Sequence, residues 1–334
     1  MVEEDQGVRV WRLAGATLPC TRFVLNGRKL TRKLQELRDS EGLQLVEGQE
    51  NAFAALGELP GVRKVIRMHG GHHFFAVTLG KKPAVWRGWQ ERRSFRQADA
   101  VCAVSRFVAE KTRQLLKLGS RQIPILPNPV NTDQFSPRGE HCEEAGVIVF
   151  AGTLCRKKGV ENLMQAFQLV KEQVPKARLV LAGRDQIEPG IGSFRAHIER
   201  RIDRQLKGSV EFLGPVNHDL LPDLYARAQV CVFPSYMESQ GIVFVEAMAM
   251  GKALVAPKIP PVCEMIEDGE QALLCDPHDP ESIASQLVRC LSDAELRHRL
   301  GQKGRKRAVE RFSTQVLVRE NIEFYRQVLA GERQ

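Results

Sequence analysis

Glu238 and Glu246 stand with seven residues between them, on either side of Gly241, in the stretch QVCVFPSYMESQGIVFVEAMAMG at residues 229–251. Residues 230–233 are a short apolar run stopped by Pro234, which reads as a buried parallel strand. Residues 235–240 are polar, and Gly241 opens a run long enough for a helix. In an open α/β sheet such a strand, loop and helix put the free N–H groups of the helix start into the crevice beyond the strand ends. An anion belongs there. Glu246 lies roughly 7.5 Å further along the helix axis, within reach of a group beside that anion, and a phosphate flanked by hydroxyls fits. The plain alternative is that Glu238 caps the helix and Glu246 is a solvated surface residue. But Glu246 sits in the apolar run IVFVEAMAM, where an unpartnered carboxylate is costly to bury, so a polar group is expected to meet it.

A second strand, loop and helix reads VIVFAGTLCRKKGVENL at residues 147–163, with Gly152 and a basic loop at the strand's carboxyl end. It is not a Walker A loop, because Lys158 precedes Gly159 and no Ser or Thr follows. Lys158, with Arg156 or Lys157, is placed to hold a diphosphate; the alternative is a solvated basic loop. A third cluster, His69, His72 and His73 in RMHGGHHFF, follows an apolar run at residues 62–68. Its spacing matches no zinc pattern, and hydrogen-bonded loop histidines are the plain alternative.

These segments belong to a chain of short apolar runs alternating with helical stretches. Residues 8–13, 43–47 and 62–68 read as strands of a parallel layer with a basic helix at residues 28–38. Residues 84–98 and 106–118 are helical, and RLVLAGRD at residues 178–185, SVEFLGPV at 209–216 and ALVAP at 253–257 continue the strands. Such alternation predicts doubly wound Rossmann-like layers. Residues 136–145, SPRGEHCEEA, are polar with Pro and Gly, which places a domain boundary there.

The string PSYMESQGIVFVEAMAMGKALVA at residues 234–256 resembles the Glu-x7-Glu segment of retaining GT4-type glycosyltransferases with the GT-B fold. The resemblance covers about residues 98–312 closely and residues 8–97 loosely. It implies two Rossmann-like domains facing a cleft: residues 1–140 with the helix 314–330, and residues 141–313 holding a nucleotide diphosphate sugar. It assigns Glu238 to the donor sugar's hydroxyls, Glu246 to the ribose, and Lys158 to the diphosphate. His69, the His of a His-Gly pair after a strand, falls beside the reacting carbon. Pro215 and Val216, after FLG, meet the base, and Ser239, Gln240, Gly241 and Ile242 complete the donor loop. Two positions depart from the family: Gln240 stands where an aromatic residue is usual, and Thr153 where an Arg binds phosphate, with Arg156 nearby to compensate. The family's glycine-rich N-terminal opening is not found, so the chain is expected to enter that domain partway, and a protein partner is expected to cover the shortened domain.

Composition sets further bounds. Of 334 residues, 43% are hydrophobic and 27% charged, which suits two globular domains. No apolar run approaches the length of a membrane span, so a cytoplasmic protein is expected. Eight scattered cysteines without a C-x-x-C pair read as reduced buried thiols. Residues 1–140 carry 23 Lys and Arg against 14 Asp and Glu, and the remaining 194 residues 26 against 26, so the whole net charge of +9 lies in the first part. That part is expected to face an anionic partner. No nucleic-acid motif accompanies the charge, so nucleic acid ranks last. Trp86 and Trp89 share residues 84–98 with Arg87, Arg92, Arg93 and Arg96, a composition suited to an anionic membrane surface; the alternative is a core-packed helix with solvated arginines.

The expected function is transfer of a sugar from a nucleotide sugar to a saccharide or lipid-linked acceptor with retention, in polysaccharide, lipopolysaccharide or glycolipid synthesis. No cofactor or metal is expected to be required. The alternatives are an inactive GT-B subunit of a partner transferase and a nucleotide-sugar epimerase.

Overall fold

The computed structural model describes residues 2–5, 7–17, 21–120, 122–139, 142–203 and 206–331. Two compact units form, Met1–Leu126 with Glu320–Gln334, and Pro127–Arg319. The polar segment at residues 136–145 includes Glu140 and His141, which lie outside the described residues, as does Cys20.

In the first unit, β1 (Val2–Asp5) and β2 (Val8–Trp11) pair antiparallel as a sheet of their own. This corrects the expectation that residue 8 begins a parallel layer. The reason is visible in β2: Val8 is exposed, and Arg12 meets Glu3 at 3.1 Å. A parallel strand needs two buried faces, and this ribbon has none. After α1 (Arg22–Glu41), the parallel sheet is β3 (Leu45–Gly48), β4 (Arg63–Met68) and β5 (Ala100–Ala103), in that order. Between the last two come α2 (His72–Thr78) and α3 (Val85–Gln97), and α4 (Arg106–Leu116) follows, its first turn capped by the Ser105 hydroxyl. The unit is closed by the end of the C-terminal helix: Phe324 and Val328 pack with Val65, Ala100, Cys102 and Leu126. Arg67 on β4 is held there by Glu47 at 2.9 and 3.1 Å and by the Tyr325 hydroxyl at 3.2 Å.

The second unit is built on six parallel strands. In chain order these elements are β6 (Val147–Ala151), α5 (Val160–Gln173), β7 (Arg178–Ala182), the small hairpin β8 (Ile187–Glu188) and β9 (Gly192–Ser193), α6 (Phe194–Glu199) and β10 (Val210–Gly214). Next come α7 (Leu221–Arg227), β11 (Val230–Val232), α8 (Ile242–Ala249), β12 (Ala253–Pro257), α9 (Pro260–Cys263) and β13 (Leu273–Cys275). The chain ends with α10 (Pro280–Ser292), α11 (Ala294–Phe312) and α12 (Thr314–Ala330). The sheet order is β10-β7-β6-β11-β12-β13. Every residue of β6, β11 and β12 is buried, which accounts for their unbroken apolar sequences. Helix α5 buries Val160, Leu163, Met164, Phe167 and Val170, one stripe at helical spacing.

The strand order positions the site. The chain starts in the middle at β6, winds outward to β10, then returns to lay β11 on the other side of β6. The two loops that leave β6 and β11 therefore diverge at the sheet's carboxyl edge, the switch point where open α/β sheets bind ligands. The segment before β6 belongs to this unit because Val130 bridges to Ser313, and Arg305 donates to the carbonyls of Thr132, Phe135 and Ala249 at 2.7–2.8 Å.

Among the described cysteines, which are all free, Cys102, Cys155, Cys231, Cys275 and Cys290 are buried as expected, while Cys263 at the end of α9 is exposed. Among the described residues, no helix is long and apolar enough to cross a membrane.

Candidate functional site

The loop after β6 tightens into one turn of 3-10 helix, Arg156–Lys158, and ends at Gly159. Gly159 has φ +70, and a Cβ there would lie 1.9 Å from the Pro234 carbonyl oxygen. Only glycine fits, and its absent side chain lets the loop after β11 pass directly over it. The Tyr236 N–H then donates to the Lys157 carbonyl at 2.9 Å. Across this contact Lys158 Nζ meets Glu238 Oε1 at 2.6 Å, joining residues 80 apart in sequence. Glu238 is 6% exposed. Lys157 also bears on it: burial pushes the Lys157 ammonium down, and the Glu238 charge pushes it back up. The result is a buried carboxylate paired with Lys158 at the switch point.

Gly241 begins α8 with φ +88, and a Cβ there would stand 2.2 Å from the Phe244 ring. Gly241 has no side chain with which to cap this helix, and the Phe244 N–H turns back to the Gly241 carbonyl at 3.2 Å. The positive end of the helix dipole lies at the loop that carries Glu238. The Ser235 hydroxyl, in the same loop, is buried without a partner.

Glu246 is 3% exposed, which removes the solvated reading. The polar group expected to meet it is in fact two groups. The Tyr225 hydroxyl donates to Oε2 at 3.0 Å and His218 Nε2 meets Oε1 at 3.0 Å. Burial, and then the adjacent carboxylate, push the Tyr225 hydroxyl well above its usual range, so it stays protonated and donates. His218 lies just past Pro215 and Val216, so the loop after β10 delivers its histidine to Glu246. Neither Tyr225 nor His218 was singled out from sequence; the charged residue in an apolar helix was the only signal.

Other expected residues go elsewhere. Arg156 is exposed and turns to Glu161 at 3.5 Å and Glu188 at 4.0 Å rather than to Glu238. Gln240 is buried and spends its amide on Asn128: Oε1 accepts from Asn128 N at 2.6 Å and Nδ2 at 2.9 Å, and Nε2 donates to the Asn128 carbonyl at 3.1 Å. Thr153 and Ser239 are half-buried on the two loops, and Ile242 is exposed at the start of α8. His69 lies in the first unit, half-buried on the turn between β4 and α2. Burial, and then Arg67, hold its imidazole below the usual range, so it is neutral near pH 7. His72 Nε2 accepts the Ala84 N–H at 2.7 Å, and His73 pairs with Glu91.

Residues 131–307, more than half of the chain, match the family of glycosyl transferases group 1. The chain belongs to that family. Residues 2–134 match the model of glycosyltransferase family 4. This glycosyltransferase is 27% identical over 290 residues to an alpha-D-kanosaminyltransferase of Streptomyces kanamyceticus, covering 82% of this chain and 72% of the relative. Its GT-B fold matches a sucrose-phosphate synthase of Thermosynechococcus elongatus with a TM-score of 0.81 at 23% identity, covering 99% and 86% of the two chains. It likewise matches Anabaena HepE in complex with UDP-glucose with a TM-score of 0.75 at 18% identity, covering 93% and 84%.

Proposed function

We propose that this glycosyltransferase moves a sugar from a nucleotide diphosphate sugar to a saccharide or lipid-linked acceptor with retention of configuration, in polysaccharide, lipopolysaccharide or glycolipid synthesis. The observation that supports this best is the Lys158–Glu238 contact across the switch point, a cation for the diphosphate set against a carboxylate for the sugar. Departure of the diphosphate builds negative charge on its oxygens. Lys158, Lys157 and the free N–H groups from Gly241 onward stabilise that charge as it develops. Glu238 accepts from the sugar hydroxyls, Glu246 from the ribose, and Pro215 and Val216 meet the base. His69 takes the reacting carbon's side. These cations do the neutralising, so no metal is required.

UDP release from UDP-glucose and from a panel of other nucleotide sugars, with the product's anomeric configuration read by NMR, tests the reading. Nucleotide binding without turnover of any donor indicates an inactive subunit, and interconversion of the donor sugar indicates an epimerase. Within the reading, Glu246→Ala is expected to weaken free UDP binding by about tenfold or more, since a carboxylate hydrogen bond is worth about 1.5–3 kcal/mol. Glu238→Ala is expected to leave UDP affinity nearly unchanged and to lower turnover of the sugar nucleotide. Calorimetry with UDP decides: equal losses in the two variants overturn the assignment.

The first unit carries a surface suited to anionic lipid. Trp86 and Trp89 are 55% and 41% exposed, not core-packed, and stack at 4.9 Å with Phe23 against both. Arg87, Arg92, Arg93 and Arg96 are exposed on the same helix. Basic residues near such a surface contribute roughly 1 kcal/mol each, and salt screens them within about 10 Å at 0.1 M. The protein is expected to pellet with anionic liposomes more than with neutral ones, less at high salt, and less when Arg92, Arg93 and Arg96 become Gln. Equal, poor capture by both vesicles sinks the membrane reading.

A further inference from the structure

The turn that carries His69 is gripped by two buried carboxylates. Glu50, just past β3 and 5% exposed, accepts the His69 N–H at 2.6 Å. Glu91, on α3 and 1% exposed, accepts the His73 N–H through Oε2 at 2.9 Å, and the same oxygen pairs with His73 Nδ1. Its other oxygen, Oε1, is buried with no hydrogen-bond partner. Both side chains press on Gly71: a Cβ there would stand 1.9 Å from Glu91 Oε1 and 2.9 Å from Glu50 Cβ. The next turn of α3 is equally tight, since a Cβ at Gly88 would stand 2.9 Å from the His73 ring. Among the described residues, the His73 ring is the only ion-pair partner of Glu91, and Glu50 has none.

Two buried carboxylates without a Lys or Arg are expensive, and packing alone would favour apolar residues here. Their oxygens are instead spent on the backbone of one turn at the carboxyl end of β4. We propose that Glu50 and Glu91 are positioning residues that hold the His69 turn from both sides. The inference rests on the reading that His69 meets the donor.

The groups facing Glu50 are the backbone of the turn, Glu91 from α3, and behind it His73 from α2; Arg67 from β4 bears on His69. Burial pushes the Glu50 carboxyl up to about 7, with the Glu91 charge adding to the rise and the N–H groups of His69 and Gly70 opposing it. Ionised, Glu50 grips those N–H groups more strongly. Protonated, it loosens them and brings an O–H donor into a turn where Glu91 Oε1 lacks one. The charge of Glu50 is therefore felt at the backbone of the turn that carries His69.

The sequence supplies a reporter, because His69–Gly70 is its only His–Gly step. Labelling the full chain with carbonyl-13C histidine and 15N glycine yields a single carbonyl-coupled amide signal, that of Gly70. This signal is expected to titrate between about pH 5.5 and 8.5 with a midpoint near that of Glu50, to stop doing so in Glu50→Gln, and to titrate at lower pH in Glu91→Gln. A signal that does not move, or one that titrates unchanged in Glu50→Gln, overturns the proposal. With UDP-glucose or whichever donor the panel identifies, Glu50→Ala is expected to lower turnover by about 10²-fold, as a small misplacement of a reacting group does. Its UDP affinity should stay the same. Full turnover in His69→Ala would remove the reading of His69 while leaving the Gly70 titration standing. Loss of turnover in His69→Ala with none in Glu50→Ala would instead remove the positioning role.

Discussion

Lys158→Ala is expected to slow turnover of the sugar nucleotide by about 10²- to 10³-fold, the usual cost of removing one preorganised donor from a developing charge, about 2.7–4 kcal/mol. Lys158 is the cation that the structure sets directly on Glu238, at 2.6 Å across the two loops of the switch point. On the proposed reading, the variant loses both the charge for the diphosphate and the group that pairs with the carboxylate. Folding stability should fall as well, because Glu238 is 6% exposed and would lose the Lys158 ammonium it pairs with. The two effects separate in a double variant. Lys158→Ala with Glu238→Ala is expected to recover much of the lost stability, since no carboxylate is left unpaired, and to recover none of the turnover. Stopped-time assays of UDP release, alongside thermal unfolding, measure both. Wild-type turnover in Lys158→Ala with unchanged UDP affinity overturns the assignment.

Glu50→Gln is expected to change the pH dependence of stability by about 3 kcal/mol. The folded carboxyl ionises at about 7, against an ordinary value of 4.5, and burial is the main cause. Between these two pH values the folded chain holds a proton that the unfolded chain releases. Stability therefore falls as pH rises through the window, by about 1.4 kcal/mol per unit of separation, and is flat below about 4.5 and above about 7. Glutamine does not ionise. The advantage of the variant over the wild type should grow from pH 4.5 to pH 7 and then level off. Urea unfolding at several pH values, followed on the transition of the unit that contains residue 50, tests this. Because the chain forms two compact units, the transitions must be resolved before free energies are compared. A difference that stays constant across the window shows that burial does not raise the folded Glu50 carboxyl, and one that changes only below about pH 4.5 shows that its N–H contacts outweigh burial.

Much of the second unit was legible in the sequence because its signals are local. An apolar run closed by Pro234, a polar loop and Gly241 dictate a strand, a loop and a helix within some twenty residues, and α8 begins where Gly241 allows a positive φ. The pairing of carboxylates at 238 and 246, and the isolation of Glu246 in an apolar helix, were likewise written in one segment. The alternation of such segments was enough to imply parallel, doubly wound layers. The basic loop before Gly159 was legible in kind, though not which of Arg156, Lys157 and Lys158 would turn inward.

What only the tertiary structure decided are the partners. Lys158 reaches Glu238 because β11 returns to lie beside β6, and no spacing along the chain encodes that neighbour. Tyr225 on α7 and His218 on the turn before it close on Glu246 of α8 for the same reason, meeting across segments far apart in sequence. Gln240 turns to Asn128, whose backbone N–H, side-chain amide and carbonyl all meet its amide, and Arg156, on the loop after β6, turns to the carboxylates of Glu161 and Glu188. Residues 8–13 read as a strand in hydropathy, but β2 pairs only with the acidic β1 and has no second layer to bury it. Glu50 and Glu91 carry no motif at all: each is an ordinary glutamate in the sequence, and becomes notable only when the fold buries both against Gly71. Local pattern specifies which elements form, because propensity and periodicity act over a few residues; which side chains meet is set by the order in which the strands are laid into the sheet.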